Sequence, residues 1–474
     1  MQSASLSDAR VAARHRLLWR WHFYAGLFVI PLLLVLAITG TLYCFQPQIE
    51  PLLYHDRMIV DARAEPRLSE QVLLAKATAA EPLNAVPTTA VIKTDPRRSI
   101  EFVFRLQSGS SESVYLNPYT GEVLGRLSIE NRLMKQIRNL HRGLMLGKTG
   151  EIVMELAGCW TLVMIGTGIA LWWPRARQTG QMGQAGGRFV PRLSSTKGRA
   201  WWRELHAVGG AWLALGALFF VLSGLPWSST WGKQFKALAT SAQLGYPQGA
   251  WGRAHVHSAK PAMAMADPSM AGMKMDDLPL PQTPWAVGAT RVPHSTADAK
   301  DSTISLDKVV ALTAQAGVTD GYDIALPTTA EGVYTVSYFP SDPQDERTLH
   351  IDRYSGQILS DIAYRDYGRV AQWISYGTSL HMGRYFGVAN QILASLISLG
   401  LAAMSISGFV MWRKRKPGRA IGAPSRPVLN PPMRAWVGGL TALGIVFPMM
   451  GLTMLIVWIS DRLLFGPGKV ARTR

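Results

Sequence analysis

Five apolar stretches, each long enough to cross a lipid bilayer as a helix, constrain this chain more than any other feature. A hydrocarbon core of about 30 Å takes about 20 apolar residues in a helix. Phe23–Phe45, Ile152–Trp173, Ala207–Trp231, Tyr385–Trp412 and Ala435–Ser460 all qualify, and Glu155 is the one charge among them. The first stretch is too long for a signal-peptide core and lacks a small-residue cleavage site, so it reads as a retained anchor.

A formal charge of +18 over 474 residues invites a nucleic-acid reading, but the placement of the charge excludes it. Four Lys/Arg precede His22, seven lie between Pro174 and Leu205, and seven between Trp412 and Arg434, opposed only by Asp8 and Glu204. Three short segments flanking spans thus hold nearly all the excess, which is the positive-inside bias of a membrane protein. Trp19, Trp21, Trp172, Trp173, Trp201, Trp202 and Trp412 fall at the same boundary, as an interfacial belt does.

These charges set an order in a bacterial inner membrane. A cytoplasmic segment (1–21) leads to a span (22–45), a periplasmic module (46–150) and a second span (151–174). A cytoplasmic loop (175–205), a third span (206–231), a second periplasmic module (232–384) and a fourth span (385–412) follow. A cytoplasmic loop (413–434) and a fifth span (435–460) then put the tail (461–474) outside, although it carries four Lys/Arg.

Each outer module reads as α+β. The first has a helix near Leu68–Ala80, strands near Glu101–Arg105 and Ser113–Leu116, and the turn Tyr119-Thr120-Gly121-Glu122 before Val123. The second repeats this with a helix near Leu306–Ala316, strands near Val333–Tyr338 and Thr348–Ile351, and Tyr354-Ser355-Gly356-Gln357 before Ile358. Glycine after Tyr-[Ser/Thr] supplies the positive φ of a hairpin turn.

Ala250–Pro284 has no periodicity and reads as a flexible insert. Its His255, His257, Met263, Met265, Met270, Met273 and Met275 are soft donors of the kind that suits copper. Cys44 and Cys159 lie inside apolar runs and read as small buried residues; no CxxCH for covalent haem attachment is present.

An internal repeat carries the chemistry. Leu140-His141-Arg142-Gly143 and Leu380-His381-Met382-Gly383 are each followed, 27 residues past the histidine, by Gly168 and Gly408, preceded by Thr167 and Ser407. His22 is followed by Gly26 and Thr39-Gly40, and His206 by Gly210 and Ser223-Gly224, at identical offsets. The order predicts His22 and His206 at the inner face and His141 and His381 at the outer face. Two pairs, one per face, suit two bis-histidine haems b, whose closed coordination favours electron transfer. Eighteen helical residues rise about 27 Å, so Gly40 and Gly224 would reach the outer pair, and Gly168 and Gly408 the inner one. Histidines at interfaces can instead bond headgroups, and glycines in spans usually serve packing; four histidines at matched offsets favour the cofactor. His15, His55, His294 and His350 have no repeat partner and read as solvated.

Trp21-His22 with Gly26, the two LHxG motifs, and Trp202-Arg203-Glu204-Leu205-His206 resemble the PepSY-associated transmembrane family, as do the paired Tyr-[Ser/Thr]-Gly turns. Within it the chain is similar to haem-containing ferric-siderophore reductases, over roughly residues 15–415. The resemblance implies a membrane all-α helical bundle of duplicated two-helix repeats with two periplasmic α+β PepSY-like modules; the extra C-terminal span departs from it. It further implies two non-covalent haems b, reduction of a ferric siderophore that releases Fe(II) for uptake, and contact with siderophore-uptake components. No flavin or nicotinamide fingerprint is evident, so a cytoplasmic or quinol donor must supply electrons. Two alternatives stand beside this: a copper reductase or electron supplier to a periplasmic partner, and a non-enzymatic PepSY module that restrains peptidases or senses the envelope.

Overall fold

The computed structural model describes residues 2–173, 189–191, 193–194, 197–247, 272–295, 302–415, 422–427 and 431–465. The helices are α1 (Gln2–Cys44), α2 (Gln46–Leu53), α3 (His55–Met58), α4 (Glu70–Ala80), α5 (Leu133–Gly143), α6 (Gly147–Trp172) and α7 (Gly198–Gly224). After them come α8 (Trp231–Ser241), α9 (Leu306–Gln315), α10 (Arg369–His381), α11 (Val388–Arg415), α12 (Arg434–Val446) and α13 (Pro448–Phe465). Two compact units result. One comprises Met1–Leu42, Asn139–Lys233 and Ile392–Arg474, the other Tyr43–Arg138 and Gln234–Gln391.

The first unit is a helical bundle. Four of its helical stretches are long and apolar enough to cross a membrane: Ala9–Cys44, Gly147–Trp172, Gly198–Trp227 and Val388–Arg415. Large apolar side chains such as Leu27, Leu215 and Leu396 face outward, more than half exposed. A lipid bilayer would cover this apolar surface. Between α7 and α11 small residues permit close approach: a Cβ on Gly216 would stand 2.8 Å from Ile397, and one on Gly400 2.8 Å from Leu213.

The expected fifth span is not one helix. α12 ends at Val446, Phe447 leaves the helical region at φ −121°, ψ 81°, and α13 starts at Pro448. Proline has no N–H to continue the first helix, and the chain doubles back. A Cβ on Gly451 would lie 2.8 Å from the Gly444 carbonyl oxygen, an approach only glycine allows. The return brings the half-buried Asp461 onto the buried Arg20 of α1 as an ion pair, with Tyr24 donating to the same carboxylate at 2.6 Å. Residue 461 therefore lies at the end of the bundle that holds the N-terminal basic segment, not at the opposite end.

The second unit is built on one sheet where two separate modules were expected. Strands β1 (Val86–Ile92), β2 (Ile100–Arg105), β3 (Ser111–Leu116), β4 (Val123–Ser128), β5 (Tyr322–Ala325), β6 (Tyr334–Tyr338), β7 (Arg347–Ile351) and β8 (Ile358–Ala363) form an antiparallel sheet in the order β4-β3-β2-β1-β5-β6-β7-β8. β1 pairs with β5 from Thr89↔Ala325 to Ile92↔Tyr322, so each half runs outward from this central seam. Leu73 and Ala77 of α4, and Leu306 and Val309 of α9, pack on one face with Phe102, Phe104, Val336 and Leu349. Ser69 and Ser305 cap these helices by accepting from Val72 and Lys308. The hairpin turns share a construction: Asn117 accepts from the Tyr119 N–H and Asp352 from the Tyr354 N–H, each at 2.9 Å, with Gly121 at φ +70° and Gly356 at φ +74°.

The other face of the sheet is polar yet buried. Thr89, Ser113, Thr335, Thr348 and His350 are all 1% exposed or less. Part of the insert covers it: Thr89 donates to the Pro279 carbonyl at 2.6 Å, and Met275 is fully buried. Residues 272–284 are thus folded, with Met275 a packing residue; His255, His257, Met263, Met265 and Met270 lie outside the described residues. His350 is not solvated. It accepts or donates at 3.0 Å with Thr335, and burial pushes its imidazole down to about 4. His15, His55 and His294 are exposed, and Cys44 and Cys159 are buried free thiols.

Candidate functional site

Within the helical unit the structure brings His22 of α1 and His206 of α7 together, their ring centres 6.1 Å apart and their planes 83° from parallel. Each ring is fixed from behind. His22 Nδ1 lies 2.9 Å from the Thr167 hydroxyl on α6, and His206 Nδ1 lies 2.8 Å from the Ser407 hydroxyl on α11.

The proton positions follow from the hydroxyls. Thr167 donates to the Val163 carbonyl at 2.6 Å, and Ser407 to the Met404 carbonyl at 2.8 Å, one turn back in their own helices. A hydroxyl whose proton is so engaged can only accept from the imidazole. Nδ1 therefore carries the proton, and Nε2 presents a free lone pair. That is the tautomer of a metal-ligating histidine, oriented by its other ring nitrogen.

Glycines sit where the repeat placed them. A Cβ on Gly168 would stand 3.4 Å from His22 Cε1, and one on Gly408 3.5 Å from His206 Cε1. Four residues past each histidine, on the same helix face, Gly210 meets nothing within 4 Å and Gly26 only the tip of Ile30. Besides the imidazoles, the side chain these glycines would meet is Ile30, 3.4 Å from a Cβ on Gly408 and 3.9 Å from one on Gly26.

His22 and His206 are the residues that would hold a haem iron, and their chemistry and spacing suit it. With metal–nitrogen bonds of about 2.1 Å and each ring centre roughly 1.1 Å behind its nitrogen, two imidazoles on one ion would have centres about 6.3 Å apart. The observed spacing is within a few tenths of that. Among the described residues no three His, Cys, Asp or Glu side chains gather as a metal site. A porphyrin brings its own equatorial nitrogens, so two imidazoles are all that such a group asks of the protein.

His141, near the C-terminus of α5, is held in the same manner. Its Nδ1 lies 2.9 Å from the Thr39 hydroxyl, which donates to the Val35 carbonyl at 2.5 Å, and Gly40 would set a Cβ 3.3 Å from its Cε1. Burial, with Arg142 beside it, pushes this imidazole down to about 4, so it is neutral at pH 7. Ser223 repeats the hydroxyl's back-bond, donating to the Phe219 carbonyl at 2.7 Å next to Gly224. In the sheet-bearing unit His381 closes α10, half-buried, and its carbonyl lies 3.9 Å from Cys44 Sγ.

Sequence reasoning singled out the histidines and glycines but gave no role to Thr39, Thr167 and Ser407. Their signal was the hydroxyl–glycine dipeptide recurring at fixed offsets. Glu155 was likewise passed over as a charge near a span's start. Its buried carboxylate accepts from the backbone N–H groups of Thr230 and Trp231, at 3.0 and 3.1 Å, at the start of α8, which answers the orphan donors of that helix end.

Four long apolar helices enclosing a pair of imidazoles, each positioned by a hydroxyl from another helix, define an integral membrane protein. The chain matches the PepSY-associated TM region over residues 19–415 and belongs to that family. Among curated proteins none matches it.

Proposed function

We propose that this chain is a di-haem electron-transfer protein of the bacterial inner membrane that reduces ferric siderophore at the periplasmic face, releasing Fe(II) for uptake. The observation that carries the reading is the His22–His206 pair, 6.1 Å apart with Nδ1 of each ring committed to a hydroxyl. His22 and His206 would hold a haem b, which would supply one-electron transfer when bound. On the sequence repeat, a second haem falls to His141 and His381.

What the chain's own residues do is orient and seclude. Thr167 and Ser407 fix the imidazole planes and keep the proton on Nδ1 at each ring. Ala25 and Val29, fully buried beyond His22 on α1, help keep the interior dry. No side chain need act as acid, base or nucleophile: a ferric chelate is tight and a ferrous one weak, so adding one electron loosens the metal without breaking the chelator. The basic flanks favour a cytoplasmic N-terminus and a periplasmic sheet-bearing unit.

Purified chain should show a reducible Soret band and two haems b per polypeptide by pyridine haemochrome, and should turn ferric siderophore into trapped Fe(II) when pre-reduced. A colourless, well-folded preparation would overturn the reading in favour of a non-enzymatic membrane module.

A further inference from the structure

Two arginines continue the helix faces that carry the imidazole pair. Arg199 stands seven residues before His206 on α7, and Arg415 seven residues after Gly408 on α11. Seven residues are two turns, so each arginine shares a helix face with its site residue and lies about 10.5 Å from it along the axis. Both displacements run toward the bundle end that carries the N-terminal basic segment. The repeat sets a basic residue at the matching position of the other half: His15 precedes His22 by seven, and Arg175, outside the described residues, follows Gly168 by seven.

Contacts place the Arg415 guanidinium. It lies 4.5 Å from the ring centre of Trp19 and 5.6 Å from that of Phe23, both on α1. A side chain rooted on α11 thus reaches the helix of His22 within one turn of that histidine. One of its N–H groups donates to the Gly422 carbonyl, and a guanidinium has five. Arg199 is near enough to act on Arg415 electrostatically. Among the described residues neither forms an ion pair with a carboxylate, unlike Arg20, Arg126, Arg132 and Arg347. Two like charges drawn together without a counter-ion repel, and a bound anion relieves that repulsion.

We infer that Arg199 and Arg415 form a carboxylate clasp for the propionates of a haem held by His22 and His206, fixing which edge of it faces the basic end of the bundle. The inference rests on the haem reading above. Arginine meets a carboxylate with two parallel N–H···O bonds. Haem b carries both carboxylates on one edge, so two arginines at one level, on the helices that supply His206 and Gly408, match it. The phosphate of an anionic lipid offers related chemistry, and the test separates the two sources.

The His141→Ala chain, which keeps His22 and His206 as its ligand pair, is purified without haem and titrated with hemin and with hemin dimethyl ester, whose carboxylates are blocked. With both arginines present it should favour hemin. Arg199→Gln and Arg415→Gln should each cut that preference roughly tenfold by weakening hemin alone; unchanged ester binding reports an intact fold, and Lys at either position should restore part of the preference. The midpoint potential of the bound hemin should fall in both Gln variants, since each removes a positive charge that disfavours the ferric form. A hemin preference unchanged in both variants overturns the inference, and if phosphatidylglycerol that co-purifies with the native chain is then lost by mass spectrometry, the arginines belong to lipid. A chain that binds neither compound defeats the haem reading itself, and this inference with it.

Discussion

Thr167 accepts from His22 at 2.9 Å while giving its own proton to the Val163 carbonyl, so one hydroxyl sets both the tilt and the tautomer of an imidazole 145 residues away in the chain. Outer-shell partners of this kind are worth about 10–100-fold in metal affinity. Thr167→Val should therefore lower haem retention at this pair by that order, with Thr167→Ser restoring it. Titrating apo-protein with hemin measures it, and full retention in Thr167→Val would mean the hydroxyl serves only packing.

Loss of ligands should follow pairs. His22→Ala and His206→Ala are expected to remove the same redox signal, and His141→Ala and His381→Ala the other, in a reduced-minus-oxidised spectrum with potentiometric titration. If His22→Ala and His141→Ala instead removed one common signal, the assignment by repeat would be wrong.

Gly168 tests the room beside the ring. A Cβ there stands 3.4 Å from His22 Cε1, a contact that Ala can make with a small adjustment. Gly168→Leu adds atoms where the imidazole sits and should displace it. Haem per chain should fall to about one in the leucine variant and stay near two in the alanine variant, as counted by pyridine haemochrome.

The C-terminal hairpin makes a topological claim. Reporter fusions at residue 465 and at the N-terminus should both report the cytoplasmic side. Asp461→Ala leaves the buried Arg20 guanidinium without its carboxylate, which costs about 3 kcal/mol and should lower the thermal midpoint of the detergent-solubilised bundle. An outward-facing fusion at 465 would restore the single fifth span.

His350 gives the sheet a pH dependence of definite sign. Its folded-state value near 4 lies below the ordinary 6.5, so between those limits the unfolded chain binds more protons and stability falls as pH drops from about 6.5 to about 4. Asp323 and Glu346, both pushed up to about 7 by burial, act oppositely, losing stability as pH rises toward 7. The comparison that isolates the imidazole is His350→Asn against wild type in urea unfolding: their stability difference should shrink by more than half between pH 7 and pH 4. A difference constant with pH would contradict this.

Four of the spans, the two capped helices and the two glycine turns were legible because each rests on local chemistry: apolar length, a serine before a helix, a positive φ. The seam between β1 and β5 was not. Val86–Ile92 includes Pro87, and Tyr322–Ala325 has only four residues, so neither carries a clear alternating pattern, and their pairing spans more than 200 residues. The reversal at Pro448 had its signals in Gly444, Pro448 and Gly451, but an unbroken apolar run hid them. His350 was misplaced because sequence shows which strand a residue occupies, not that the strand's polar face is covered. The closeness of His22 and His206 was legible in the repeat, whereas Thr39, Thr167 and Ser407 looked like ordinary span residues until the helices brought them to Nδ1.

The β1–β5 seam makes the two halves of the sheet inseparable. Severed from its partner, either half would expose the full backbone edge of its innermost strand, a template for pairing with any other such edge. A gene fragment encoding residues 46–150 alone should accordingly yield aggregates, and any evolutionary gain or loss of this sheet would have to take both halves together.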